Sequence, residues 1–321
     1  MRYLLILNPG SGGGKSKRRF ERILAFLHKN RVEFDYELTN TLEDAYTLSV
    51  QGNLKGYDVI VAVGGDGTIN RVINGFYDSQ GKRISHSKLA VIHTGTSPDL
   101  CKNYNIPLEI NQALNIILEG KSIQIPIAKI TYISVYDKRL NDLRLSMTYE
   151  NVQTSYFACC ANIGLGASVA RGANSGIRDS FGDFAGTLVS VIKNLLTYRP
   201  VNFTVRCDGK KLVFENVYNI FVGKTTYIAS GIKVKNKLTL RDPRFYTLTI
   251  KNIGLTNWLS VLRKLYSAQE FSNNKTMSLQ YAQHIEVYGN SRNNEIEFDG
   301  DPRGFLPCLI EPAQDPLDLI S

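Results

Sequence analysis

The stretch VIVAVGGDGTINRVINGF, residues 59–76, decides the fold of the first third of the chain. Its first five residues are all apolar, which is typical of a strand buried on both faces of a parallel sheet. Gly64-Gly65-Asp66-Gly67-Thr68 then leads directly into a segment with apolar residues at helical spacing. Glycines at the end of a strand let the backbone approach a ligand closely, and the following helix N-terminus favours an anion. We therefore expect residues 64–68 to bind phosphate groups.

Asp66 needs a separate explanation, because a carboxylate repels phosphate. We interpret it as a partner of a metal ion, or of a metal-bound water, that bridges to the phosphates. The alternative is a helix-capping turn with a structural aspartate.

Strand and helix patterns alternate on both sides of this stretch. The segments RYLLILN, FDYELT and KLAVIHTG are expected to be strands, and the segment LEDAYTLSV has the pattern of a helix. Alternating units with short loops predict a doubly wound parallel sheet with right-handed crossovers. We place this α/β N-terminal domain at residues 1–122.

The amino-acid composition and the hydrophobic pattern change after residue 122. Segments rich in β-branched and aromatic residues, separated by turn signals such as Asp208-Gly209 and GNSRNN, predict a mainly antiparallel β-sandwich-like second domain over 123–307. Helices are expected near 181–197 and 255–268, and the tail, about 308–321, is expected to return to the first domain.

The N-terminal segment LLILNPGSGGGKSKRRF, residues 4–20, combines an apolar run, glycines and cations. A Walker A loop needs a glycine where this chain has Pro9, so the segment is a damaged Walker A loop, a different phosphate loop or a flexible turn.

Composition restricts the class of protein. The net charge of +9 suits nucleic acid, anionic lipid headgroups or phosphorylated substrates. Five cysteines without a CxxC pair indicate a reducing compartment. No segment reaches the roughly 18 apolar residues of a membrane span. We expect a cytoplasmic protein, peripheral to the membrane.

The motifs together resemble a known family. GGDGT after a parallel strand is similar to the superfamily of phosphofructokinases, NAD kinases and diacylglycerol-kinase-type lipid kinases. The bacterial soluble diacylglycerol kinase and lipid kinase branch is matched, in order, by NPGSG at 8–12, Thr39 six residues before Ala45, GTSPDLCKNYNIP at 95–107, YFACCANIGLGASVAR at 156–171, and DGD at 299–301. The resemblance spans nearly the whole chain and implies an NAD kinase or diacylglycerol kinase-like first domain.

The resemblance implies phosphoryl transfer from ATP with Mg²⁺. It also implies that residues 8–12 are a phosphate loop other than Walker A, with Lys15 as an auxiliary cation near the nucleotide. The nucleotide-binding residues that it implies are Asn8, Pro9, Gly10, Ser11, Gly12, Thr39, Gly64, Gly65, Asp66, Gly67, Thr68, Asn70 and Thr96. Asp66 would serve catalysis by holding Mg²⁺ through water. Asp299 or Asp301 would accept the proton of the attacking hydroxyl, and the other interpretation of Asp299-Gly300 is a hairpin turn. A structural magnesium site would fall within 233–250, where Asp242 is the candidate ligand.

Three motifs depart from the family pattern. Ser97 and Pro98 replace a glycine and an asparagine, Asp301 replaces a glutamate, and Pro243 and Arg244 follow Asp242. We predict an ATP-dependent lipid kinase that acts on diacylglycerol or a related lipid. The alternatives are an NAD kinase-like enzyme and a catalytically weak lipid- or nucleotide-binding protein. The expected partners are a lipid substrate and a transient membrane surface. We do not expect nucleic acid as a partner. A homodimer is a possible assembly.

Overall fold

The computed structural model describes residues 1–14, 16–135, 151–172, 198–229, 232–254, 257–267, 273–289 and 295–321. The chain divides into two compact units. Unit 1 comprises Met1–Ile127 and Ala313–Ser321, and unit 2 comprises Ala128–Pro312. The boundaries drawn from the sequence, at 122 and about 308, lie a few residues away from these.

Unit 1 contains a six-stranded sheet. Its strands, numbered in chain order, are β1 (Arg2–Leu7), β2 (Glu33–Leu38), β3 (Val59–Gly64), β4 (Lys88–His93), β5 (Ser122–Ile125) and β18 (Leu317–Ile320). They lie in the order β2-β1-β3-β4-β18-β5. The first five strands in this order are parallel, and β5 is antiparallel to β18. The predicted doubly wound parallel sheet is therefore confirmed.

Helices cover both faces of this sheet. They are α1 (Lys17–Lys29), α2 (Leu42–Leu54), α3 (Asp66–Asn74), α4 (Asp99–Asn103) and α5 (Ile110–Glu119). Apolar residues of α1 and α5 pack with Leu5, Val61 and Ala90 in one buried cluster. The strand residues between these face the other side, where a Cβ added to Gly52 of α2 would meet the side chains of Leu4 and Ile60.

Unit 2 is built on antiparallel strands. They are β6 (Ala128–Ile133), β7 (Val152–Phe157), β8 (Cys160–Gly164), β9 (Val201–Cys207), β10 (Lys210–Gly223), β11 (Tyr227–Ala229), β12 (Ile232–Lys233), β13 (Phe245–Lys251), β14 (Met277–Ala282), β15 (Ile285–Gly289), β16 (Glu295–Phe298) and β17 (Asp301–Pro312). The path β14-β13-β10-β8-β16-β17-β15-β9 forms one sheet, and β9 also pairs with β10, so the sheet returns on itself. The expected antiparallel second domain is confirmed.

Two apolar clusters fill unit 2. The larger contains Phe203, Phe298 and Ile310. The second lies beneath α7 (Trp258–Tyr266) and contains Trp258 and Tyr246, while α6 (Leu165–Gly172) follows β8 directly. Helix α7 confirms the helix expected near 255–268.

The turn at Asp208-Gly209 is confirmed. It joins β9 to β10 with φ of 48° and 81°, the left-handed pair that a tight two-residue hairpin requires. The helix expected at 181–197, residues 290–294 of GNSRNN and Lys15 lie outside the described residues. In the part of the chain that the structure describes, no helix is long and apolar enough to cross a membrane.

Candidate active site

The carboxyl ends of β1, β3 and β4 meet at one edge of the unit 1 sheet. The chain runs outward from β1 to β2 and then back past β1 to β3, so the direction of the connections reverses between β1 and β3. Ligands of open α/β sheets bind outside the carboxyl ends of the strands at such a reversal. The predicted loops at 8–12 and 64–68 follow β1 and β3, and therefore lie at this point.

Asn8 joins the first loop to the second. Its Nδ2 donates a hydrogen bond to Thr68 Oγ1 at 2.7 Å, and its Oδ1 accepts one from the Gly10 backbone N–H at 2.9 Å. The Asn8 backbone N–H donates to the carbonyl of Val63 at 2.9 Å. Thr68 is buried, so its hydroxyl serves as the anchor of the first loop.

Glycines bring the loops after β1, β3 and β4 into backbone contact. A Cβ added to Gly95 would lie 2.5 Å from the Cα of Gly65, and one added to Gly12 would lie 2.7 Å from the carbonyl oxygen of Thr94. Gly12 also has a φ of 61°, which L side chains rarely adopt. Only glycine fits at these two contacts, so the loops meet there through main-chain atoms. Such a surface can present backbone N–H groups to phosphate oxygens.

Asp66 occupies the first turn of α3, directly above β3. Its Oδ2 accepts a hydrogen bond from the Asp99 backbone N–H at 3.4 Å, and its Oδ1 lies 3.7 Å from Nε2 of His93. Asp99 is itself buried, and one of its carboxylate oxygens accepts from Ser97 Oγ at 3.2 Å. Two carboxylates from neighbouring loops are therefore held close to the reversal point.

The electrostatic surroundings of His93 indicate a positive site. Burial, together with the nearby cations Arg19 and Lys102, lowers the pKa of His93 to about 4, against the opposing effect of a hydrogen bond with the Ser97 backbone. His93 is therefore neutral near pH 7, and its contact with Asp66 is not an ion pair. The first turn of α1 contains exposed Arg18 and Arg19 and no acidic residue. A positive field at this edge of the sheet favours phosphate groups.

The other predicted nucleotide contacts lie at different depths. Thr39 is buried at the carboxyl end of β2, where its backbone N–H donates to the carbonyl of Leu7 at 2.9 Å, and Thr96 is exposed in the loop after β4. Asn70 is 1% exposed, and its side-chain oxygen accepts a hydrogen bond from Asn74. The structure thus places Asn70 inside the domain rather than on the loop surface.

The carboxylates fit a magnesium ion that keeps most of its water. Within the described residues, no group of three or more His, Cys, Asp or Glu side chains is placed to hold a metal ion. Mg²⁺ does not need such a group, because it binds through one or two carboxylates together with substrate phosphates. Asp66, in the first turn of α3, is a carboxylate of this kind, whereas the contact of Asp99 with it is made by the Asp99 backbone N–H.

Asp299 lies in unit 2, in the tight turn between β16 and β17, with a φ of 47°. Its carboxylate accepts hydrogen bonds from three successive backbone N–H groups, those of Ala158, Cys159 and Cys160, at 2.9, 3.1 and 3.3 Å. Asp299 therefore anchors the turn between β7 and β8. The hairpin interpretation and an ordered carboxylate both hold at this position.

Two family profiles match the sequence of this chain. The profile of the diacylglycerol kinase catalytic domain matches residues 2–130. A second profile, described as the YegS C-terminal NAD kinase beta sandwich-like domain, matches residues 160–321. The chain belongs to the diacylglycerol kinase family.

Individual relatives agree with this assignment over the full length of the chain. A diacylglycerol kinase from Staphylococcus aureus (strain bovine RF122 / ET3-1) is 26% identical over 320 residues, which cover 100% of this kinase and 92% of the relative. A solved diacylglycerol kinase from Bacillus anthracis strain Sterne has a TM-score of 0.66 at 18% identity, and the match covers 99% of this kinase and 96% of that chain. Another solved chain from that strain reaches a TM-score of 0.72 at 21% identity with the same coverage. The solved structures show the shared fold.

Two features of this kinase escaped the sequence analysis. His93 is one, because a histidine at the end of a strand carries no motif. The other is Glu297, which is buried beneath the Asp299 turn and accepts hydrogen bonds from Asn162 Nδ2 and the Gly300 backbone N–H, both at 2.5 Å. The pairing register of β8 with β16 places Asn162 opposite Glu297, and sequence spacing alone does not reveal it.

The geometry around Asp242 weighs against a structural magnesium site in this kinase. The Arg244 guanidinium donates to both carboxylate oxygens of Asp242, at 3.0 and 2.8 Å, and the Arg244 backbone N–H donates to one of them at 2.9 Å. These hydrogen bonds hold the pKa of Asp242 at about 2. The Lys224 ammonium donates to the Asp242 carbonyl. The carboxylate and the carbonyl oxygen of Asp242 are therefore both paired with cationic side chains.

Proposed function

We propose that this kinase transfers the γ-phosphoryl group of ATP to the hydroxyl of a membrane lipid, most simply diacylglycerol. The observation that carries the proposal is the glycine surface at the reversal point of the unit 1 sheet, with Asp66 at the start of α3. That arrangement suits the triphosphate of a nucleotide. The family supports a lipid as the acceptor.

The reaction needs positioning and charge neutralisation more than covalent help. The acceptor oxygen forms a bond to the γ-phosphorus, the bond from that phosphorus to the β–γ bridging oxygen breaks, and ADP leaves with the electron pair. The hydroxyl proton passes to a carboxylate of the 299–301 turn, by our proposal Asp301. Asp66 would hold a Mg²⁺ ion, which would neutralise phosphate charge. The glycine loops hold the phosphates in line through backbone N–H groups.

Asp299 is less suited than Asp301 to accept the proton. Three backbone N–H groups already occupy lone pairs of the Asp299 carboxylate. Because hydrogen bonds to the charged form make a carboxylate a weaker base, Asp299 is better suited to fixing the turn that presents Asp301.

A labelling assay tests the proposal. The full chain is incubated with γ-³²P-ATP, Mg²⁺ and one acceptor at a time: diacylglycerol, ceramide, a sphingoid base, phosphatidylglycerol or NAD. We expect label in the organic phase with diacylglycerol and none on NAD. Label on NAD alone would assign the chain to the NAD kinase-like alternative. ATP binding without transfer to any acceptor would support the binding-protein alternative.

A further inference from the structure

Three lysines stand at alternate positions of one segment of unit 2. In the sequence IKVKNKL, residues 232–238, Lys233, Lys235 and Lys237 alternate with inward-facing residues. Val234 is fully buried and Leu238 packs against the apolar cluster beneath α7. Lys235 and Lys237 are exposed, and Lys233 is half-buried with its Nζ 5.4 Å from the centre of the Tyr227 ring.

The loop that follows continues the same surface. Leu240 is 48% exposed, and Arg241 beside it is exposed as well. The loop is fixed from below, since the Lys237 backbone N–H donates to the Tyr281 hydroxyl at 3.4 Å and the Asp242 backbone N–H donates to the carbonyl of Thr239 at 3.1 Å. The lysine row therefore ends in a fixed tip with an apolar side chain between cations. We call Lys233, Lys235, Lys237, Leu240 and Arg241 the lysine-row surface.

Basic residues predominate in this region. Residues 224–251 contain seven Lys or Arg residues and one acidic residue, Asp242, whose carboxylate is paired with Arg244. Helix α7 packs beside β12 and adds Arg263 and Lys264. The positive field is thus concentrated on one part of unit 2.

We propose that the lysine-row surface docks this kinase on an anionic phospholipid bilayer. The inference deepens the proposed function, because a kinase whose acceptor is a membrane lipid must reach the bilayer. Lysine ammonium groups are mobile point charges that suit a fluid array of headgroup phosphates. Basic residues near an anionic surface strengthen binding by about fivefold each, and an exposed leucine adds apolar burial at the headgroup boundary.

Vesicle flotation tests the proposal without ATP or diacylglycerol. Wild type is compared on vesicles of pure phosphatidylcholine and of phosphatidylcholine with 30% phosphatidylglycerol. The Lys233→Glu/Lys235→Glu/Lys237→Glu variant is compared with Lys210→Glu/Lys211→Glu/Lys275→Glu, which makes the same charge change at exposed sites of the same unit. We expect the first variant to lose at least about 100-fold in affinity for anionic vesicles, and the control to lose far less. Leu240→Glu is expected to weaken binding as well.

The outcomes separate this proposal from the proposed function. Equal binding by the two triple variants would overturn the docking surface, and so would equal binding of wild type to neutral and anionic vesicles. Retention on single-stranded RNA with none on anionic vesicles would assign the surface to nucleic acid instead. Phosphoryl transfer to a short-chain diacylglycerol in detergent micelles is measured alongside. It should survive in both variants, and its absence in wild type would count against the kinase activity and not against docking.

Discussion

At the scale of single residues, the candidate site depends on glycines, which have no Cβ atom. Gly12, Gly65 and Gly95 allow three loops to touch through their backbones, and this contact brings Asp66 beside the loop that carries Asp99. The sequence predicted the first two glycines because they stand in phosphate-loop motifs. The pattern does not show that the α3 face carrying Asn70 is buried, and the contact of Asn70 with the nucleotide stays a prediction.

The two aspartates of the 299–301 turn should behave differently when replaced. Asp299→Ala leaves three backbone N–H groups without their acceptor, so we expect a loss of about 2–4 kcal/mol in the free energy of unfolding. Asp301→Asn should leave the melting temperature near that of wild type and lower kcat by about 100-fold or more. Urea denaturation and steady-state kinetics measure the two effects. A fully active Asp301→Asn protein would remove Asp301 from the role of base.

At the scale of elements, the sequence predicted the α/β half well, because continuous apolar strands and helical spacing are local signals. The second half was predicted only as a class. Its strand order depends on pairings between distant segments, such as β8 with β16 and β9 with both β10 and β15. The pairing of Asp242 with Arg244 was likewise invisible, although the two residues are only two positions apart.

Lys224, which follows β10 and donates a hydrogen bond to the Asp242 carbonyl, should make the free energy of unfolding depend on pH. Burial lowers the pKa of Lys224 to about 8, and Asp242 opposes this shift. Between pH 8 and about 10.5, the ordinary pKa of lysine, the unfolded chain holds a proton that the folded chain has lost, so stability rises with pH in this window. The free energy of unfolding of wild type should therefore increase from pH 8 to pH 10 relative to Lys224→Met.

Urea denaturation at pH 7, 9 and 10 measures this difference, and Lys210→Met serves as the exposed control. The difference in free energy of unfolding between wild type and Lys224→Met should be constant below pH 8. A difference that stays flat to pH 10, as expected for the control, would show that the Lys224 ammonium is not disfavoured by folding.

At the scale of the whole molecule, both ends of the chain build unit 1. Strand β18 lies between β4 and β5, and Leu319 is paired with Leu89 on one side and Ile123 on the other. The sequence suggested that the tail returns, but a four-residue strand carries no signal of where it inserts. Upstream of it, Tyr77 Oη donates to the Asp315 carbonyl at 3.1 Å.

A pair of leucine variants tests how much β18 contributes to the stability of unit 1. Leu319 is fully buried, so Leu319→Ala should lower the free energy of unfolding by about 2–5 kcal/mol. Leu240→Ala removes the same atoms at an exposed position and should change it by less than about 0.5 kcal/mol. Equal, small effects in thermal and urea denaturation would mean that β18 contributes little to the folding of unit 1.

The central claim is that Asp66, held at the start of α3 above the glycine loops, serves phosphoryl transfer from ATP to a lipid. The most direct measurement is the rate of ³²P transfer to diacylglycerol by Asp66→Asn, beside Asp35→Asn on the outer strand β2 as a control. We expect Asp66→Asn to keep the wild-type melting temperature within a few degrees and to lose about 100-fold or more in rate, while the control keeps its activity. An Asp66→Asn protein that transfers phosphate at the wild-type rate would contradict the account.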